Sequence, residues 1–204
     1  MRRSRTSIFL ALALVSACAR DAAREAEAPA LDAAASLPRS PHLPALRISP
    51  LAGKPGAEVL VAMNGLAIGQ KVDLGFGTFA GHTILESGEP TVNGDYAPAV
   101  KIPADAALGT NFFFLAAQTD ARPISAPAAF LVTAPDGTVR LNGRITDGVE
   151  CTALLDATET LYTLIGVDDV PEKGTAVIIE GTLAEQSICQ QGLTVVVTSL
   201  RMGS

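Results

Sequence analysis

From residue 58 the chain alternates. Val59, Val61 and Met63 fall on one side, and Leu60, Ala62 and Asn64 on the other. A strand with one buried face requires that period of two. Similar short β-prone runs follow at 71–76, 79–86, 95–102, 111–118 and 128–133, and another precedes them at 46–49. Turn residues stand between them: Gly53, Pro55-Gly56, Asn64-Gly65, Gly69, Asn93-Gly94, Gly109 and Pro123. About seven short strands with regular turn signals predict a β-sandwich over 46–134.

Pro135-Asp136-Gly137 reads as a turn and a domain boundary. Beyond it, 138–146, 150–155, 161–165, 176–185 and 194–202 predict strands. Val177, Ile179 and Gly181 alternate with Ile178, Glu180 and Thr182, while Val195-Val196-Val197 is apolar on both faces, as inside a closed barrel. Gly143 and Gly181 fall mid-strand, where glycine marks a bulge or corner. So many strands in so short a stretch suit a small five-stranded OB-like barrel over 137–204.

The first residues carry a different pattern. Arg2, Arg3 and Arg5 precede the uncharged run Ile8-Phe9-Leu10-Ala11-Leu12-Ala13-Leu14-Val15, and small residues follow. That order is a secretory leader's, and the run is too short for a permanent membrane span. Val15-Ser16-Ala17-Cys18 resembles the lipobox of bacterial lipoproteins. The resemblance implies cleavage after residue 17, a diacylglyceryl thioether on Cys18 and acylation of the new amino end. Several acyl chains in one anchor give stable attachment. Ala19, where an Asp would signal inner-membrane retention, favours the outer membrane. Residues 18–45 are rich in Ala, Pro and charge, with Pro38, Pro41 and Pro44 forbidding a long helix. They read as the lipidated cysteine and a flexible tether, with His42 solvated in it.

Three cysteines are an odd number for an exported chain. With lipid on Cys18, Cys151 and Cys189 remain. An oxidising compartment lets them join, closing a loop of roughly 40 residues worth about 4 kcal/mol. Two free buried thiols are the alternative.

The words Ile48-Ser49-Pro50-Leu51-Ala52-Gly53-Lys54-Pro55-Gly56, Gly65-Leu66-Ala67-Ile68-Gly69-Gln70-Lys71-Val72, Gly94-Asp95-Tyr96 and Ile102-Pro103-Ala104-Asp105-Ala106-Ala107-Leu108-Gly109 resemble immunoglobulin-like modules of the IPT/TIG kind. That resemblance implies an immunoglobulin-like sandwich without a core disulfide or Trp, and no active-site residues. In the second half, Gly148-Val149-Glu150-Cys151-Thr152-Ala153-Leu154, Leu161-Tyr162-Thr163-Leu164, Gly174-Thr175-Ala176-Val177 and Ile188-Cys189-Gln190-Gln191-Gly192 resemble an uncharacterised OB-like domain of exported bacterial proteins. Its members share both cysteines, so the resemblance implies the Cys151–Cys189 disulfide, and implies fold and export rather than catalysis.

Charge and chemistry narrow the function. Residues 1–17 hold three arginines and no acid, so Lys+Arg falls from 15 to 12 against 21 Asp+Glu without them, a formal net charge of −9. An acidic surface repels phosphate backbones, so nucleic acid is not an expected partner. Residues 137–204 carry one aromatic, Tyr162, which suits a core better than a stacking platform. Only His42 and His82 are histidines, and no Gly-x-Ser-x-Gly occurs. Asp168-Asp169-Val170-Pro171-Glu172 is acidic but lacks calcium-loop spacing. Phe112-Phe113-Phe114 must turn at least one ring outward unless something covers it. Gln190-Gln191-Gly192 either presents amides to a ligand or is a tight turn pinned by Cys189. No catalytic residue, cofactor or metal is expected. The expectation is a non-enzymatic envelope lipoprotein, anchored in a membrane, whose β domains bind an envelope protein or polysaccharide. The alternatives are a small-molecule or metal-binding sensor or carrier built on the barrel, or an inhibitor of an envelope hydrolase.

Overall fold

The described residues form thirteen strands: β1 (Arg47–Ser49), β2 (Ala52–Gly53), β3 (Glu58–Ala62), β4 (Val72–Thr78), β5 (Gly81–Gly88), β6 (Ala99–Lys101), β7 (Gly109–Ala117), β8 (Ala128–Val132), β9 (Thr138–Asp147), β10 (Thr152–Asp156), β11 (Leu161–Ile165), β12 (Ala176–Leu183) and β13 (Leu193–Met202). They come from a computed structural model that describes residues 43–78, 80–189 and 191–203. The leader, Cys18, His42 and nearly all of the tether lie outside the described residues. No described residue is helical.

The first eight strands make two sheets, β1-β3-β6 and β2-β8-β7-β4-β5. Val59, Val61 and Met63 are buried and Leu60 is half exposed, as the alternation requires. They meet Leu74, Phe76, Phe113, Leu115, Phe130 and Val132 from the facing sheet. Three rings form the middle: Phe76 and Phe113 have centroids 4.7 Å apart, and Phe130 stands edge-on to both at 6.1 and 5.6 Å. Tilted and edge-on aromatic pairs add stabilisation beyond their buried area. This core uses the aromatics that a Trp would otherwise supply.

Strand β2 has no period to read, because it is two residues long. Strand β1 pairs antiparallel with β3, whereas β2 pairs in parallel with β8. Pro50, with no N–H to give a ladder, stands where the chain changes sheet. At the other edge lies β5, an exposed strand whose pairing with β4 slips by one residue between Leu74 and Gly75. A bulge of this kind blunts an edge against further pairing.

The Phe run resolves by alternation. Phe113 enters the core, so Phe112 and Phe114 take the opposite face of β7. Gly75 is the ladder partner of Phe114. A Cβ at Gly75 would sit 2.2 Å from Phe114 Cζ, so the ring lies over the glycine instead of standing in water.

Strands β9–β13 close into a barrel in the order β10-β11-β13-β12-β9, with only β11 and β13 parallel. Val177 and Ile179 fill it, with Leu141, Leu154, Leu164 and Val195. Val196 and Val197 are partly buried, so the apolar triplet faces both ways. Gly143 and Gly181 sit where strands press closest. A Cβ at Gly143 would meet Leu155 O at 2.4 Å, and one at Gly181 would meet Val196 O at 2.2 Å. The β12–β13 register shifts at Glu180/Gly181. Bulges and glycine corners of this sort let a short sheet curl shut.

The turn at Asp136-Gly137 carries the chain from β8 into β9: Gly137 N–H donates to Ala134 O, and Asp136 Oδ1 accepts from Thr138 N–H at 2.9 Å. Leu131, on the side of β8 turned away from the sandwich core, packs in the barrel cluster, with Ala52 against it. A residue of the sandwich sheet thus completes the barrel core, while the sandwich core stays a separate cluster.

Candidate interaction site at the disulfide end of the barrel

Three loops meet at one end of the barrel, and none is long enough to bury itself. The 148–151 loop begins at Gly148, where a Cβ would strike Cys151 O at 2.3 Å. Cys151 is bonded to Cys189 in the 184–192 loop, with Cα atoms 5.8 Å apart. Val149 N–H donates to Gln191 Oε1 at 2.8 Å, a second tie between the same two loops. The 166–175 loop is fastened to β9 by Gly174 N–H to Ile145 O at 2.8 Å and by Arg144 Nη1 to Gly174 O at 3.0 Å. Lys173 pairs with Asp147 across the same gap.

Beneath the 184–192 loop runs a ladder of hydroxyls. Ser187 Oγ accepts from Cys189 N–H at 2.9 Å and from Thr194 Oγ1 at 2.7 Å, and Thr194 Oγ1 lies 2.7 Å from Thr163 Oγ1. Thr163 and Thr194 are buried. Buried hydroxyls in one connected chain satisfy each other and hold the loop above them in place.

These ties fix an end where three aliphatic side chains stand in water among charged ones. Ile188 is 83 % exposed, Val149 72 % and Val170 46 %. Val149 and Val170 line a cleft of about 320 Å³, with Asp147, Glu150, Pro171 and Lys173 around it. Single exposed aliphatics are ordinary, but three on fastened neighbouring loops, two of them joined by the disulfide, form a surface suited to a partner.

The residues singled out in the sequence are distributed as follows. Cys151 and Cys189 form the disulfide, and Gln191 spends its amide oxygen on Val149. Gln190 lies outside the described residues. Asp168, Asp169 and Glu172 are exposed on the 166–175 loop beside this end. No three His, Cys, Asp or Glu side chains gather to hold a metal ion among the described residues. His82 is exposed on β5 and stands edge-on to Phe114 at 5.0 Å. It also lines a cavity of about 170 Å³ with Asp105 and Asn111, and Asn111 Nδ2 is spent on Ala107 O at 2.7 Å.

Tyr162 is buried, but its hydroxyl reaches the sandwich. It lies 2.7 Å from Thr110 Oγ1, which donates its own proton to Asp156 Oδ2. Asp156 Oδ1 accepts from Thr158 N–H and Thr160 N–H at 2.8 and 2.9 Å, capping the β10–β11 turn. Burial pushes the Tyr162 hydroxyl up to about 12; the Thr110 bond opposes that rise and the Asp156 charge adds to it. Beside this joint lies an apolar cleft of about 140 Å³, lined by Leu51, Leu131, Leu161 and Leu193 among others.

Sequence reasoning missed the exposure of Ile188, Val149 and Val170, because an isolated aliphatic residue reads as core whatever its neighbours. It missed Thr110 and Asp156 too, since no spacing links residues in separate modules. No protein-family model matches the chain, and a comparison with curated proteins finds no match.

Proposed function

We propose that this protein is a membrane-anchored envelope lipoprotein, held through Cys18, that works as a non-enzymatic binding module. The disulfide end of the barrel is its contact surface, and an envelope protein is its partner. One observation carries the reading: Ile188 and Val149 stand exposed on two loops tied by Cys151–Cys189 and by Val149 to Gln191, and Val170 stands exposed on a third loop that Gly174 and Lys173 fasten to β9. Loops held in place lose little freedom on binding, so more of the contact energy remains as affinity. The joint of Leu131, Thr110, Asp156 and Tyr162 supports the same reading, since it holds the barrel against the sandwich that follows the tether.

The test is site-specific photo-cross-linking in native membranes. A photoreactive residue at Ile188 should give one reproducible adduct, and the same residue at Val92, 81 % exposed on the sandwich, should not. No adduct from Ile188, or the same adducts from both positions, would sink the proposal. Intact mass of the membrane-extracted protein tests the anchor: loss of residues 1–17 and added acyl mass on Cys18 are expected, and an unmodified mature mass refutes it.

A second reading, a small-molecule carrier, is favoured by the apolar cleft of about 140 Å³ at the joint. A cavity near that size lined by aliphatic groups takes a benzene-sized guest. A ligand at a hundred times its Kd stabilises by about 2.7 kcal/mol, so a screen of small apolar molecules that moves no unfolding midpoint discards this reading.

A further inference from the structure

We propose that the sandwich carries a second binding site, a cavity that takes a primary alkylammonium group, the head of a free amine or of a lysine side chain. The cavity, of about 170 Å³, lies between the β4–β5 hairpin and the loop that enters β7. It shares no residue with the disulfide end of the barrel. Asn111 lines it and is only 2 % exposed. Its Nδ2 donates to Ala107 O at 2.7 Å and to Gly109 O at 3.1 Å. Two carbonyl acceptors fix which end of the amide is the nitrogen. The other end, Oδ1, receives no hydrogen bond from any described residue. An acceptor on a buried side chain calls for a donor, and the cavity is where one can enter.

The charge around the cavity has one sign. Segments 76–83 and 103–111, which supply every lining residue, contain no Lys or Arg, and Asp105 is their one carboxylate. Asp105 stands exposed at the rim and makes no ion pair among the described residues. The nearest lysine along the chain, Lys101, lies opposite Glu58 on the β3–β6 ladder. Phe76, Pro103, Ala106 and Ala107 make much of the wall apolar. An ammonium on a methylene stem matches each part: N–H donors for Oδ1, charge for Asp105, and methylenes for the wall.

Other occupants fit less well. An anion would meet Asp105 and no cation. A wholly apolar molecule would seal Oδ1 away from any donor. No three His, Cys, Asp or Glu side chains gather to hold a metal ion among the described residues. The volume is near that of a cavity of about 150 Å³ that holds benzene, so an occupant of about five or six heavy atoms fits and a whole nucleotide or disaccharide does not.

The probe is n-butylamine, titrated into the full chain in neutral detergent. About pH 8 and about 0.15 M salt leave imidazoles ordinarily uncharged and screen diffuse attraction to an acidic chain. Amide NMR shifts locate the binding. Saturable shifts should fall on 76–83 and 103–111, with the Asn111 side-chain amide among them. Butan-1-ol has the same length without the charge, and butyltrimethylammonium has the charge without an N–H. Each should bind at least about tenfold more weakly, because each lacks the charge-assisted hydrogen bond. Asp105→Asn should weaken butylamine roughly two- to fivefold, the range of an exposed ion pair, with an unchanged thermal midpoint. No saturable shift in those segments, equal binding of either control, or no loss in Asp105→Asn overturns the inference. Nα-acetyl-lysine methylamide then separates the two sources. Shifts at the same amides, within about tenfold of the butylamine affinity, support a lysine side chain as the occupant; their absence supports a free amine.

Discussion

Replacing both Cys151 and Cys189 with Ala should lower stability by about 4 kcal/mol. The residues are 38 apart in sequence, and the chain-entropy relation for a loop of that length gives about 13 cal/mol/K, or about 3.9 kcal/mol at 25 °C. The described residues lie between 43 and 203, and at that size each kcal/mol moves the midpoint by about 2–4 °C. A fall of about 8–16 °C is therefore expected. Thermal unfolding followed by circular dichroism reads it, with the reduced wild type as a check that should match the variant. Hydrogen exchange adds location. The 184–192 loop should lose protection first, because the disulfide is its one covalent tie and hydrogen bonds at Ala184, Ser187 and Gln191 are what then hold it, while the β9–β12 ladder keeps its own. A fall of less than about 3 °C would refute the reasoning, since the unfolded 151–189 segment would then have little freedom for the disulfide to remove.

Three further outcomes test the joint, the barrel corners and the buried phenols. Thr110→Val and Tyr162→Phe should each cost about 1–3 kcal/mol in denaturant unfolding, with a coupling of at least about 0.5 kcal/mol in the double-mutant cycle; strict additivity would show that the two hydroxyls do not act together. Gly143→Ala and Gly181→Ala should each cost about 1–3 kcal/mol or more, because the new methyl would meet a backbone oxygen at 2.4 or 2.2 Å. Gly81→Ala, which faces open space, should stay within about 0.5 kcal/mol. Tyr96 and Tyr162 are the only tyrosines, and burial pushes each hydroxyl up to about 12, with the charges of Glu86 and Asp73 adding at Tyr96 and that of Asp156 adding at Tyr162. The unfolded chain releases these protons near pH 10 and the folded chain holds them longer. Their contribution is thus complete below about pH 10 and lost as pH rises through about 12. Phenolate absorbance should lag well behind free tyrosine, and titration of both groups near pH 10 in the folded chain would contradict their burial.

Strand content was legible because alternation is a local property. Val59, Val61 and Met63 face the core because a pleated backbone sends every second side chain the same way. Gly143 and Gly181 were legible as corners, since a glycine inside a strand has no packing reason of its own. The disulfide pair was legible by counting once Cys18 was set aside. Strand β2 was not, because two residues carry no period. The covering of Phe114 was not legible either: it depends on Gly75 being its ladder partner, a matter of register between strands far apart in the chain.

The amino-acid sequence by itself determined the class of the fold, the order and bounds of most strands, the charge and the cysteine arithmetic, all of which follow from composition or from neighbours along the chain. Tertiary structure alone decided that Leu131 belongs to the barrel core, that Tyr162 reaches Thr110, and that Ile188, Val149 and Val170 share one exposed end. These depend on closure of the barrel and docking of the sandwich, which bring together residues whose separation no local pattern encodes. A hydrophobic residue reads as core wherever it occurs. Only the packed chain shows which ones water still touches.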